Sequence, residues 1–128
     1  MKIEEVLKNM KAYVWKEKFG VLKVKKLPKN KDFFCAIKDK KEITLILKEI
    51  DIDKVNAIEI EKDYRIITFN VILPFNLVGF MSTISSALAK EKISLLAISS
   101  YSNDHILVKE RNLNKTIEVL KDLGIKIE

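Results

Sequence analysis

The sequence is short of the residues that usually cross-link or catalyse. It has one cysteine in 128 residues, Cys35, so no intrachain disulfide can form and a two-cysteine metal site is excluded. Cys35 lies in the apolar run Phe33-Phe34-Cys35-Ala36-Ile37 and is expected to be core filler. The single histidine, His105, has no second histidine or cysteine beside it, which argues against a metal centre and against a nucleophilic relay. The three glycines stand alone, at 20, 79 and 124, so neither a P-loop nor a GxGxxG turn is present. No carboxylate pair is spaced with a base. The expectation is a protein that is not an enzyme, with no catalytic residue, metal or cofactor. No run approaches the ~20 apolar residues of a transmembrane helix. The opening Met1-Lys2-Ile3-Glu4-Glu5 lacks the basic-then-apolar layout of a signal peptide, so a cytoplasmic location is expected.

What is present describes a folded protein. A composition 48% hydrophobic and 33% charged is globular, and the length allows one domain or two very small ones. The net charge of +6 is uneven. Between Lys11 and Lys41 there are 11 lysines against Glu17, Asp32 and Asp39, whereas from Ile67 to the end 7 basic residues meet 6 acidic ones. A basic half can face nucleic acid or another acidic partner. Lysine outnumbers arginine, however, and there is no RNP-like aromatic motif or helix-turn-helix pattern. A solvated face on alternating strands accounts for the lysines better.

Along the chain, Ile3, Val6, Leu7 and Met10 recur at helical spacing, with acids first and Lys8 later as the helix dipole favours. Ala12 to Trp15 is β-prone, and Trp15 reads as a core or interface plug. Strands are expected at 19–26, 33–38, 42–47 and 57–61, with a loop at 27–32 and a turn or one helical turn at 50–56. Lys62-Asp63 should punctuate. A strand then runs from Tyr64 to Leu73, with Ile67, Phe69, Val71 and Leu73 on one face. Pro74 ends it, and Asn76 is placed to cap a helix that runs to Lys90 with Leu77, Met81, Ile84 and Leu88 on one side. A strand at 93–100, a turn at 101–104 and a strand at 105–110 follow. Asn112 is placed to cap a second helix with Leu113, Ile117 and Leu120 inward, Gly124 suits its C′ position, and 125–127 forms a last short strand.

Residues 63–128 therefore read β-α-β-β-α-β, the ferredoxin-like split motif. Residues 1–62 look like a degenerate copy. The expected fold is α+β, with two tandem ferredoxin-like units, the first degenerate, and their sheets side by side.

This topology brings two polar corners to one end of the sheet. One follows the first strand, at 74–78; the other is the hairpin at 101–104. A helix N-terminus there receives a carboxylate through its free N–H groups. Gly79 clears space beside it, and Asp104 can accept an ammonium, with Ser99, Ser100 and Asn103 fixing orientation. A small zwitterion fits that pattern.

Three stretches resemble the ACT-domain superfamily. Leu73-Pro74-Phe75-Asn76-Leu77-Val78-Gly79 with Ser86-Ala87-Leu88-Ala89 is similar to the family's first strand, ligand loop and helix. Ile93 to Val108, through Ser99-Ser100-Tyr101-Ser102-Asn103-Asp104, is similar to its strand-hairpin-strand, commonly Ser-Thr-Tyr-x-Thr-Asp. Glu42-Ile43-Thr44-Leu45 resembles a strand of a first ACT unit. The likeness is specific over 64–124 and loose over 19–61. It is nearest to small tandem ACT proteins, which are similar to the arginine-sensing tandem ACT proteins of animals and to the regulatory end of aspartate kinases. The resemblance implies a non-catalytic, amino-acid-binding regulatory module with its ligand at an ACT–ACT interface. By position, Asn76, Leu77, Val78, Gly79, Ser99, Ser100 and Asp104 would line the site, with Asn103 beside them. Ser100 and Asn103 depart from the family's threonines but stay polar. A homodimer and a separate regulated protein are the implied partners. The alternatives are a ligand-free interaction or oligomerisation module and, with less support, a nucleic-acid binder through the basic half.

Overall fold

The structure, a computed structural model, describes residues 2–70 and 77–128. In chain order its elements are α1 (Ile3–Lys8), β1 (Lys11–Val14), β2 (Phe19–Val24), β3 (Cys35–Lys38), β4 (Ile43–Lys48), a 3-10 helix (Glu49–Lys54), β5 (Ala57–Phe69), α2 (Phe80–Lys90), β6 (Leu96–Ser99), β7 (Asp104–Lys109), a 3-10 turn (Glu110–Asn112), α3 (Leu113–Asp122) and β8 (Lys126–Ile127). They gather into two compact units. One comprises Met1–Trp15 with Arg65–Glu128, the other Lys16–Tyr64. β5 belongs to the second unit up to residue 64 and to the first from residue 65.

In the larger unit the sheet order is β6-β7-β5-β1-β8. β7 pairs with both β5 and β6, as the split motif requires. The position of β1 departs from the expectation, which grouped residues 1–15 with the N-terminal unit. β1 instead runs antiparallel to β5, with Ala12 opposite Phe69, and parallel to β8, with Ala12 opposite Ile127. Asn70 N donates to Lys11 O (2.7 Å) on one side, and Glu128 N to Ala12 O (2.8 Å) on the other. The reason is legible in burial: Val6, Leu7, Met10 and Ala12 all join the apolar core made by Ile67, Phe69, Ile84, Leu88, Ile106, Val108 and Leu120. Alternation along β5 puts Ile67 and Phe69 into that core. Ile66 and Thr68, pointing the other way, are also buried, so both faces of this strand are covered.

The smaller unit is an antiparallel sheet of order β3-β4-β2-β5. Its core is small: Leu22, Val24, Leu45, Leu47 and Ile52, with Ala36, Ile43, Val55 and Ala57 against it. No α-helix forms between residues 16 and 64; the 3-10 helix supplies Ile52 instead. Gly20 makes that possible, because a Cβ there would lie 2.5 Å from Ile52 Cδ1. Lys23 pairs across the ladder with Glu59, so an acid on β5 does face a lysine-bearing strand. Cys35 is part-buried on β3 and outside that core, not the filler expected.

Two further expectations are corrected. Lys62-Asp63 does not interrupt the chain: β5 is continuous, and Asp63 takes a left-handed conformation (φ 67°) where the register with β2 shifts. The first helix of the split motif starts at Phe80, later than a cap at Asn76 would place it, and Gly79 (φ 96°) is its N-cap. Asn76, with Val71 to Phe75, lies outside the described residues. Asn112 is the N-cap of α3 by position, but its side chain makes no capping bond.

Deleting residues 1–15 uncovers the edges of both β5 and β8 and removes four core side chains. The remaining chain is expected to lose the cooperative unfolding of its 65–128 part, read by near-UV circular dichroism during denaturation; a native-like, cooperative transition would refute the role given to β1.

Candidate functional site

The hairpin between β6 and β7 is held by its own polar groups. Ser100 N and Oγ both donate to Asn103 O (2.9 and 3.1 Å), and Ser99 Oγ donates to Asp104 Oδ1 (2.5 Å). Ser99 and Asp104 are also opposite one another in the ladder. Facing the hairpin is the start of α2. No side chain caps it; Thr83 returns both its N–H and its hydroxyl to Gly79 O (2.9 and 2.8 Å). The N–H groups of Phe80, Met81 and Ser82 are the first-turn donors that an α-helix leaves without an internal acceptor.

These two corners line one open pocket of about 330 Å³. Of the residues expected at the site, Leu77, Gly79, Ser99, Ser100, Asn103 and Asp104 line it. Val78 does not: it is 86% exposed and stands beside the lining. Asn76 lies outside the described residues. The expectation missed Phe80, Met81, Ser82, Tyr101 and Ser102, all of which line the pocket. The first three follow from the later helix start, which makes them its opening turn. Phe80 does not fill the space, since its ring packs edge-on to Phe69 with centroids 5.2 Å apart.

Behind the hairpin runs a line of hydrogen bonds, buried at its middle and part-buried at its ends. Trp15 Nε1 donates to Thr68 Oγ1 (2.8 Å), Thr68 Oγ1 meets His105 Nδ1 (2.8 Å), and His105 Nε2 meets Ser100 Oγ (3.0 Å). Each proton has one place if the imidazole is neutral with its hydrogen on Nε2. Thr68 then donates to Nδ1, Nε2–H donates to Ser100, and Ser100 donates to Asn103 O. Burial pushes the His105 pKa below its ordinary value, against the opposing pull of Asp104. His105 is thus a structural support for the hairpin. Trp15, expected as a plug, is part-buried and heads this line. Its carbonyl is held in turn by Arg65, through Nη2 (2.9 Å) and Nε (3.3 Å), while Arg65 Nη1 reaches Glu110 (3.2 Å).

The ACT-domain family profile matches residues 59–122, half of the chain, and the chain belongs to that family. Among curated proteins there is no significant match. Among solved structures, a protein from Agrobacterium tumefaciens superposes with a TM-score of 0.79 at 18% identity, covering 93% of this chain and 92% of that one. A protein of unknown function from Vibrio cholerae gives a TM-score of 0.79 at 19% identity, with 95% of each chain covered. The regulatory subunit of aspartate kinase from Thermus thermophilus, in its ligand-free form, gives 0.66 at 6% identity, covering 88% of this chain and 95% of that one. At these identities the likeness is one of fold: α+β, ACT-like, and similar to the regulatory domains of aspartate kinases. No helix among the described residues is long and apolar enough to cross a membrane.

Two outcomes follow from this geometry. The unfolded chain takes up a proton on its one histidine near pH 6.5, whereas the folded protein resists it until lower pH. Stability is therefore complete above that value and falls as pH drops through the window below it. Thermal midpoints should decline from about pH 7.5 to about pH 5, and His105→Asn should flatten that decline whatever its own midpoint. Gly79→Ala meets no atom within 4 Å but must hold φ 96°, so it should cost about 1 kcal/mol by denaturant titration.

Proposed function

We propose that this protein is a non-catalytic regulatory module that binds a free amino acid in the pocket between the start of α2 and the β6–β7 hairpin. One observation carries the reading: uncapped N–H donors of α2 and the acceptor Asp104 line the same pocket, which suits a carboxylate at one end and an ammonium at the other. Ser99 holds one carboxylate oxygen of Asp104 in place, and a carboxylate retains further acceptor sites. The pocket, about 330 Å³, is at the lower end of ligand-site sizes, as a small zwitterion needs. Family membership supports a regulatory role, and the aspartate kinase regulatory subunit of similar fold is consistent with it.

Magnitudes require a second contribution. A helix end gives about 1 kcal/mol, up to about 2 when partly buried, against about 8 kcal/mol for micromolar binding. The pocket is open, and Tyr101 at its border is 82% exposed. We therefore place a second copy of the chain over it, making the ligand part of an ACT–ACT interface in a homodimer. The module then acts on a separate regulated protein. The β3-β4-β2-β5 unit repeats the strand order of a split β-α-β-β-α-β motif with both helices reduced, which supports reading it as a degenerate first ACT unit.

A thermal-shift screen of the twenty amino acids tests this. A ligand at 100 times its Kd adds about 2.7 kcal/mol, a shift of several degrees at this size. Asp104→Ala should abolish that shift. If no amino acid moves the midpoint and a stable oligomer forms without ligand, the ACT unit serves assembly alone.

A further inference from the structure

The unit formed by residues 16–64 contains a larger cavity, of about 630 Å³, that the amino-acid reading leaves unused. Five lysines line it: Lys25, Lys26, Lys29, Lys31 and Lys54. No carboxylate does. Two other pockets of the same unit are built differently, one setting Asp39 and Glu42 among its lysines, the other Glu17, Glu49 and Asp53. Among the described residues, Lys54 is the one of the five with a carboxylate partner, Asp51 at 3.1 Å.

Five like charges around one concavity repel each other, and a cleft of one sign concentrates its field on whatever enters. Apart from Asp51 beside Lys54, no carboxylate among the described residues lines this space or pairs with its lysines, so the favourable occupant comes from outside. Lysine ammoniums bind phosphate oxygens as point charges with three donors each. The rest of the wall is Asn56 and three apolar residues, Leu27, Pro28 and Val55, which give a surface for an uncharged body. The volume falls within the range of small-molecule sites. A single-stranded nucleic acid would call for an extended track with aromatic platforms, whereas these lysines line a single cavity and no aromatic side chain does.

We propose that this cavity binds a multiply phosphorylated small molecule of the nucleotide class, with its phosphates among the five ammoniums and its base against Leu27, Pro28 and Val55. The site shares no residue with the pocket at α2 and stands or falls independently of it.

Calorimetric titration of the 128-residue protein at low salt tests this with three probes: ATP, inorganic tripolyphosphate and a single-stranded oligonucleotide. The expected result is saturable 1:1 binding of ATP, several-fold weaker binding of tripolyphosphate, and loss of both as KCl is raised. Lys29→Ala with Lys31→Ala should weaken ATP about tenfold, a change of about 1.4 kcal/mol. Lys40→Ala with Lys41→Ala, in a pocket that carries its own acids, should leave it within about twofold. Circular dichroism of both variants should match the parent. Absence of saturable ATP binding, or an equal loss from both double variants, would overturn the site. Tripolyphosphate binding as tightly as ATP would overturn the nucleotide assignment, and tighter binding of the oligonucleotide would replace the proposal with a nucleic-acid surface.

Discussion

The constraint on which the larger unit depends is the double pairing of β1. A strand of four residues is held on one side by β5 and on the other by β8, with Ala12 buried between Phe69 and Ile127. Without it β8, two residues long, has no strand beside it in this sheet. The pairing also delivers Trp15 to Thr68, and from there the line of hydrogen bonds passes through His105 to Ser100 and the hairpin. The backbone pairing of an N-terminal strand and the shape of a pocket near residue 100 are thus parts of one arrangement.

That arrangement explains why a histidine stands where it does. Thr68 on β5 and His105 on β7 occupy the sheet face opposite the helices, and a buried polar pair there is tolerable only when every donor is used. The neutral imidazole satisfies this by linking two hydroxyls. The hairpin is consequently held by hydrogen bonds behind and is polar in front, where Ser99 and Asp104 line a pocket with the start of α2. In the proposed amino-acid site, which has little apolar enclosure, such preorganisation reduces the ordering entropy lost when a ligand arrives.

Much of the fold was legible because residues 64–128 obey their periods. Ile67 and Phe69 alternate into the core, and Ile84 and Leu88 share one helical side. Topology alone put the turn at 74–78 and the hairpin at 101–104 at one end of the sheet; of that turn's described residues, Leu77 lines a pocket with the hairpin and Val78 does not. What the sequence hid were effects of pairing and backbone conformation. Nothing local in Lys11-Ala12-Tyr13-Val14 says that its partner strands lie more than fifty residues away. Asn76 is a good capping residue, yet Gly79 in a left-handed conformation begins α2. Asp63 looks like a break but is absorbed by a shift of register. In the smaller unit the lysine excess reads as a solvated surface, and only the fold shows which lysines share a pocket with acids and which line a cavity without a carboxylate in its wall.

Residues 1–15 and 65–128 make one unit, so 16–64 is an insertion within it. This sets an order of assembly. As the polypeptide emerges during synthesis, β1 appears before either of its neighbours; the inserted segment, a compact unit of its own, can close before them. The completed sheet must wait for β8 at the far end, and loop closure over more than a hundred residues is a slow, non-local step. Until β5 and β8 are made, α1 and β1 lack the surfaces that bury them, a period in which their apolar side chains are open to the wrong neighbours.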